Sequence, residues 1–278
     1  MSDTGIGVSV KRVEDRRFLT GRGNYTDDIN QPRQLYAWIL RSPHAHARIK
    51  SVDIKRAKEA PGIIAIFTGA DMAADEVGSI PCGWQIHNKD GSPMSEPAHP
   101  PMAFEKVRHV GDQVAIVIAE TKTQARDGSE LISVDYEILK ASIMMNDSLS
   151  KSSAPVHDDV PNNICFDWEI GDKESTDAAF TEAEHIVSID VVNNRLIPNA
   201  MEPRAAIAEY NSATGKYTLN TTTQNPHVIR LLMGAFVLQI PEHKLRIISH
   251  DVGGGFGSKI FHYAEEAILT WASAKVSQ

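Results

Sequence analysis

The sequence has few cysteines, no long apolar run and no excess of basic charge. Only Cys82 and Cys165 occur among 278 residues, and their wide separation matches neither a disulfide framework nor a zinc motif. No apolar stretch reaches the roughly 18 residues that a membrane-spanning helix needs. The net charge is −8, and the mixed signs do not indicate a nucleic-acid-binding face. We therefore predict a cytoplasmic protein that binds no nucleic acid and has no membrane span.

Residues 16–19, Arg-Arg-Phe-Leu, resemble a twin-arginine export signal. Such a signal precedes an apolar segment, whereas the residues that follow, 20–24, are polar or glycine. We therefore interpret residues 1–17 as an N-terminal arm and not as a leader.

The composition is that of a folded protein, with 42% hydrophobic and 23% charged residues. The apolar pattern predicts an α+β unit over residues 18–145, a polar linker over 146–163 and a second α+β unit over 164–278. The first unit is predicted to contain strands at 35–40, 63–67, 114–119 and 132–138 and helices at 52–60 and 121–131.

In the second unit, the predicted strands are 186–192, 205–210, 217–222 and 245–249, and the predicted helices are 226–237 and 262–275. Residues 211–215 are typical of a hairpin turn. The last helix carries an apolar face around Trp271 that has no later partner in the sequence. We therefore expect this chain to be the N-terminal part of a longer polypeptide and to be poorly soluble alone.

Four glycines surround Phe256 in residues 251–259, here called the glycine loop. A strand, a glycine-rich loop and a helix in this order present backbone N–H groups to an anion. The spacing fits neither standard nucleotide motif, because Ile260 follows Lys259 where a phosphate loop needs Ser or Thr, and the last glycine misses the dinucleotide spacing by one. A tight turn without a ligand therefore remains an alternative.

Two polar clusters lie upstream of the glycine loop. Gln224 follows a predicted strand, so we expect its carboxamide near the loop, where it either holds a ligand or caps the helix that begins near Pro226. Glu202 and Arg204 flank a proline between two strands, and we interpret them as a charge pair that anchors this loop, with a catalytic role as the alternative.

Together these clusters resemble the large, molybdopterin-binding subunit of the molybdenum hydroxylases, the xanthine oxidase family, in the branch of aerobic carbon monoxide dehydrogenase. The segments that carry the resemblance are residues 12–29, 40–49 (LRSPHAHARI), 109–120 (HVGDQVAIVIAE), 199–205 (NAMEPRA), 223–227 (TQNPH) and 253–259 (GGGFGSK).

The resemblance implies an α+β fold with an α/β hammerhead domain followed by the first part of a molybdopterin-binding domain. It implies that the cofactor-binding residues are Gln224, Gly254, Gly255, Phe256 and Gly257, and that Phe256 and Ile260 lie at the substrate. It implies no direct metal ligand in this chain, and it places the general-base glutamate beyond residue 278.

The implied cofactor is molybdenum with molybdopterin cytosine dinucleotide, and copper is a further candidate metal. The implied partners are an iron–sulfur small subunit with 2Fe-2S clusters and a medium subunit with FAD, in a dimer of heterotrimers. The implied reaction hydroxylates carbon monoxide, an aldehyde or an N-heterocycle with oxygen from water. Ile260 stands where xanthine-type members have a purine-binding glutamate, which argues against a purine substrate.

Glu265 and Glu266 lie on the last predicted helix, and we interpret them as a solvated face and not as the missing base. The alternative to an enzyme is a truncated, catalytically inactive fragment or a hammerhead scaffold that does not hold the cofactor.

Overall fold

The computed structural model describes residues 5–150 and 152–276. Within these residues, nine strands form three three-stranded sheets, and helices pack between and around them. The predicted α+β class is confirmed.

Two antiparallel sheets build the first unit, with the strand orders β1-β5-β3 and β4-β2-β6. Their strands are β1 (Tyr36–Arg41), β2 (Ala47–Asp53), β3 (Ile63–Thr68), β4 (Lys106–Val107), β5 (Gln113–Ala119) and β6 (Ser133–Ile138). The helices of this region are α1 (Asp15–Leu19), α2 (Lys55–Lys58), α3 (Gly69–Ala74), α4 (Lys122–Glu130) and α5 (Met145–Ser148).

Strand β5 is the centre of the first unit, and all seven of its residues are buried. It lies between β1 and β3, and helix α4 covers it. A strand enclosed in this way can be apolar at every position, which explains why its sequence shows a continuous apolar run and no alternation. The strand predicted at residues 114–119 is confirmed.

The helix predicted at residues 52–60 is wrong over its first half. Val52 belongs to strand β2, where it pairs with Val134, and only the four residues of α2 are helical. Strand β2 carries Arg48, Lys50 and Asp53 and is only partly buried. Because several of its residues are polar, the sequence pattern did not indicate a strand here. Pairing with the neighbouring strands stabilises it.

The second unit contains one sheet with the order β7-β8-β9. Its strands are β7 (Ala206–Asn211), β8 (Lys216–Thr221) and β9 (Leu245–Ile248), and its helices are α6 (Lys173–Glu182), α7 (Pro226–Leu232) and α8 (Ala264–Val276). Strands β7 and β8 form the predicted antiparallel hairpin, with Gly215 at φ 64° in its turn. Helix α7 connects β8 to the parallel strand β9 and continues into a π-helical turn, Met233–Val237.

Helix α8 packs against the first unit, so the expectation of an uncovered apolar face around Trp271 is wrong. The Trp271 side chain is almost fully buried, its ring lies edge-on to Phe67 at 5.1 Å, and its Nε1 donates to Asp75 at 2.7 Å. Ile268 belongs to the same core cluster as Ile116 of β5. Helix α8 therefore packs against residues that precede it in the chain, whereas the sequence prediction considered only residues that follow it.

The strand predicted at residues 186–192 is also wrong. This stretch is extended and belongs to no strand of the described part of the chain. Its large apolar side chains are exposed: Ile186, Val187, Ile189, Val191 and Val192. No helix in the described ranges combines the length and the apolar character needed to cross a membrane.

Candidate functional site

The glycine loop runs from the end of β9 towards helix α8 and contains no regular structure. Phe256 has φ 49°, in the left-handed region that non-glycine residues rarely adopt. A conformation of this kind costs about 1–3 kcal/mol and persists only where the surroundings impose it. The neighbours of the loop therefore determine its shape.

Three of the four glycines are required by the packing of the protein itself. A Cβ atom at Gly253 would lie 2.6 Å from the Cβ of Glu202, and one at Gly254 would lie 2.8 Å from the ring of Phe256. At Gly255 it would overlap the carboxamide of Gln224. Around Gly257, by contrast, no described atom lies within 4 Å of the Cβ position, so the open side of the loop is at this residue.

Gln224 lies against the glycine loop, as the sequence predicted. Its Oε1 accepts a hydrogen bond from the main-chain N–H of Gly257 at 3.1 Å, and its own N–H donates to the carbonyl of Lys259 at 2.9 Å. The alternative role as a helix cap is not observed, because Asn225 occupies the N-cap position of α7. The Nε2 group of Gln224 has no hydrogen-bond partner among the described residues.

Phe256 and Ile260 are exposed, with 74% and 41% of their surface accessible. The Phe256 ring packs over Gly254, next to the glycine that Gln224 contacts. The structure thus brings Gln224, Phe256 and the glycines together at one loop, while Ile260 follows directly after it.

The expected pair of Glu202 with Arg204 is wrong. Glu202 instead forms a buried ion pair with Lys259, in which Nζ lies 2.9 Å from Oε2, and the same oxygen accepts from the N–H of Gly253 at 2.7 Å. Lys259 also donates to the Glu202 carbonyl at 2.8 Å. The guanidinium of Arg204 stacks on the ring of Tyr263 at 3.7 Å. The short sequence separation between Glu202 and Arg204 favoured a pair between them. In the structure, the long side chain of Lys259 reaches Glu202 instead.

The solvated-face interpretation of Glu265 and Glu266 is also wrong. Glu266 is buried and accepts hydrogen bonds from Thr221 Oγ1 at 2.7 Å and from the N–H of Tyr263 at 3.0 Å, while His262 Nδ1 lies 2.9 Å from its Oε2. Both oxygens of this carboxylate are therefore committed to structure.

Glu265 forms an ion pair with Arg41 of strand β1 and thereby joins the two units. Burial alone would raise the pKa of its carboxyl group, but the hydrogen bond and charge of Arg41, a main-chain hydrogen bond and a hydrogen bond from Gln113 together lower this pKa.

Asp251 at the start of the glycine loop is a site residue that the sequence analysis missed. Its carboxylate accepts from both terminal nitrogens of Arg17, one of them at 2.7 Å, and from the N–H of Asn24 at 2.8 Å. The hydrogen bond from Arg17 is the main cause that lowers the pKa of Asp251 from 3.8 to about 2. An arginine 234 residues away leaves no local signal in the sequence.

A separate cavity of about 440 Å³ lies between the units and is lined by β1 and α8, with Arg204 and Tyr263 at its wall. It does not include the glycine loop. Within the described ranges, no group of three or more His, Cys, Asp and Glu residues is arranged to hold a metal ion.

Two family models match the chain. Residues 20–140 match the aldehyde oxidase and xanthine dehydrogenase a/b hammerhead domain, and residues 156–278 match the molybdopterin cofactor-binding domain. The second match contains Gln224 and the whole glycine loop.

Curated relatives match over nearly the whole chain. The carbon monoxide dehydrogenase large chain of Afipia carboxidovorans is 37% identical over 273 residues, which cover 94% of this chain and 32% of the relative. The nicotine 6-hydroxylase large subunit of Paenarthrobacter nicotinovorans is 35% identical over 271 residues, with 96% and 32% covered. The chain thus spans about a third of the length of these relatives.

Solved structures show the same fold. Quinoline 2-oxidoreductase from Pseudomonas putida 86 superposes with a TM-score of 0.88 at 32% identity, covering 98% of this chain and 34% of the other. A Cu,Mo-CO dehydrogenase superposes with a TM-score of 0.84 at 35% identity, with the same two shares covered.

Proposed function

Because this chain belongs to the xanthine oxidase family of molybdenum hydroxylases and carries its hammerhead and molybdopterin-binding domains, we propose that its glycine loop and Gln224 form one wall of a molybdopterin site. The whole enzyme would hydroxylate carbon monoxide, an aldehyde or an N-heterocycle. Residues 1–278 would supply cofactor positioning to that enzyme but no catalytic base.

The observation that carries this proposal is a set of N–H donors in and beside the glycine loop that lack an acceptor among the described residues. Gln224 is oriented by its bond to Gly257, which leaves Nε2 available to a ligand. The N–H groups of Gly254, Gly255 and Phe256 also have no acceptor among the described residues. Such groups suit an oxygen-rich or anionic partner.

When bound, the molybdenum cofactor would supply a two-electron oxidation in which the new oxygen comes from water. Gln224 would donate a hydrogen bond to an oxygen atom of the cofactor and fix its orientation. Phe256 would exclude water from the substrate position, because its ring is exposed and packs over Gly254 in the glycine loop. The acidic residues nearest the loop would not provide the base, since both oxygens of Glu266 and Oε2 of Glu202 are bound by internal partners and Oε1 of Glu202 is buried.

The apolar side chain of Ile260 supports a small or apolar substrate. It offers no carboxylate to a purine N–H, and a buried donor without an acceptor is costly. We therefore propose that the whole enzyme disfavours purines.

Electron transfer would require an iron–sulfur small subunit and a FAD-binding medium subunit, in a dimer of heterotrimers. The names of the relatives as a large chain or large subunit support such an assembly. We also propose the cytosine dinucleotide form of the cofactor, with copper as a further metal.

The second candidate is a scaffold that does not hold the cofactor. One observation favours it: an apolar stretch at residues 186–192 is exposed. A site with only one wall would bind molybdopterin weakly.

A chimera tests both candidates. This chain would replace the matching third of the Afipia large chain and be produced with that protein's partner subunits. We expect molybdenum in the chimera and oxidation products labelled by ¹⁸O from water. A folded, assembled chimera without molybdenum would support the scaffold, and hypoxanthine turnover as fast as aldehyde turnover would contradict the substrate proposal.

A further inference from the structure

The N-terminal arm, to which the sequence analysis gave no role, reaches the glycine loop. Arg17 lies on helix α1, and its guanidinium donates two hydrogen bonds to the Asp251 carboxylate. Paired bonds between arginine and a carboxylate fix orientation as well as distance. The start of the loop is therefore attached to a segment more than 200 residues away in sequence.

Main-chain contacts continue this attachment. The N–H of Asp251 donates to the carbonyl of Asn24 at 3.2 Å, and Tyr25 forms an isolated parallel bridge with Asp251. The Tyr25 ring packs beside Gly253, where a Cβ would lie 3.4 Å from its Cε1. Residues 15–28 thus pack along the start of the loop in the way that a short additional strand would.

The loop is also anchored at Lys259, through its ion pair with Glu202 and the N–H of Gln224, and closer to its middle at Gly253 through Glu202 and at Gly257 through Gln224. Between them lie Gly254 and Gly255, which gain the most backbone freedom when an anchor is lost. Without the Arg17 side chain, the first part of the loop would be held only by Glu202 and by the contacts of Asp251 with Asn24 and Tyr25 among the described residues.

We propose that residues 15–28 form a positioning strap for the glycine loop, and that Arg17 acts through Asp251 as a positioning residue of the cofactor site. The contribution of Arg17 to a cofactor site rests on the proposed function. The strap itself is a property of the chain without cofactor.

Hydrogen exchange measured by mass spectrometry on the 278-residue chain tests the strap. We expect Arg17→Ala and Asp251→Asn to accelerate exchange in peptides spanning residues 251–259 by tenfold or more. Exchange in β5 should stay within twofold of wild type. Arg16→Ala is the matched control, because the Arg16 side chain has no hydrogen bond or ion pair among the described residues.

Arg17→Lys separates positioning from general stabilisation. Lysine keeps the charge but loses the two-pronged geometry, so exchange in the loop should remain at least threefold faster than in wild type, whereas a purely electrostatic role of Arg17 would restore the wild-type rate. If Arg17→Ala does not fold, Asp251→Asn carries the test, since an amide still accepts from the N–H of Asn24.

Three results would overturn the proposal: Arg17→Ala exchanging like Arg16→Ala in the loop, equal acceleration in all peptides, or full rescue by lysine. None of these results depends on molybdenum. Failure of the strap is therefore distinguishable from failure of the proposed function, which the molybdenum content of the chimera reports.

Discussion

At the scale of single residues, the buried pair of Lys259 and Glu202 ties the end of the glycine loop to the segment before β7. Lys259 is 2% exposed and Glu202 is 11% exposed at the side chain. An ion pair in such a place adds little net stability, but removing one partner leaves a charge buried without compensation. The pair therefore determines where the loop lies more than how stable the protein is.

We expect Glu202→Gln to lower the free energy of unfolding by about 3 kcal/mol, because the Lys259 ammonium loses its counter-charge. The double variant Glu202→Gln/Lys259→Met should be less destabilised than Glu202→Gln alone. Urea denaturation measures both, with Glu209→Gln on the exposed edge of β7 as the control. Additive losses in the double variant would show that the two side chains do not depend on each other.

Asp251 gives a pH dependence whose sign follows from its lowered pKa of about 2. A carboxyl group that is more acidic in the folded state stabilises that state above its unfolded pKa, and this contribution disappears as the pH falls towards 2. We expect Asp251→Asn to cost about 1 kcal/mol at pH 7, since Arg17 is partly exposed. The difference from wild type in urea denaturation should shrink below pH 4, and a difference that grows with acid would contradict the assignment.

The sequence could predict that Gln224 and the glycine loop meet, because both follow strands of one sheet. It could not predict the partners of Glu202, Glu266 or Asp251. Lys259, Thr221 and Arg17 come close to these carboxylates only through tertiary folding, and a nearby opposite charge such as Arg204 is a poor guide to the real partner.

At the scale of elements, contacts between the units position the second sheet. Helix α8 buries Trp271 against the first unit, and the long segment between α3 and β4 touches the π-helical turn that follows α7. In the latter contact, the N–H of Gly78 donates to the carbonyl of Val237 at 2.8 Å. A Cβ at Gly78 would overlap the carbonyl oxygen of Phe236.

We therefore expect Gly78→Ala to destabilise the protein by about 1–3 kcal/mol, as overpacking against a backbone atom does. Gly83→Ala is the matched control, because no described atom lies within 4 Å of its Cβ position. Urea denaturation compares the two variants. Equal stabilities would mean that the contact at Gly78 is loose and does not hold the units together.

Elements whose residues carry their own signal were predicted well, as β5 and the β7–β8 hairpin show. Strand β2 was missed because its polar residues are stabilised by pairing with β6. The stretch 186–192 has the apolar character of a strand but no neighbouring strand in the described residues. A strand needs a partner, and the local pattern does not report whether one is present.

At the scale of the whole molecule, two domains of one family lie side by side, and the glycine loop contacts the N-terminal segment as well as the second sheet. The domain boundaries at residues 17, 145 and 163 remain predictions. The matched relatives extend over about three times this length. The described residues form one wall of the proposed site.

The effect of Gln224→Leu on the molybdenum-containing chimera tests the central claim most directly. We predict a fall in turnover of about 10–100-fold relative to wild type, because the residue that orients the cofactor is lost. Gln31→Leu, the same chemical change at an exposed position whose side chain has no hydrogen bond among the described residues, should leave turnover within twofold. If the two variants behave alike, Gln224 does not face the cofactor and the glycine loop is not its wall.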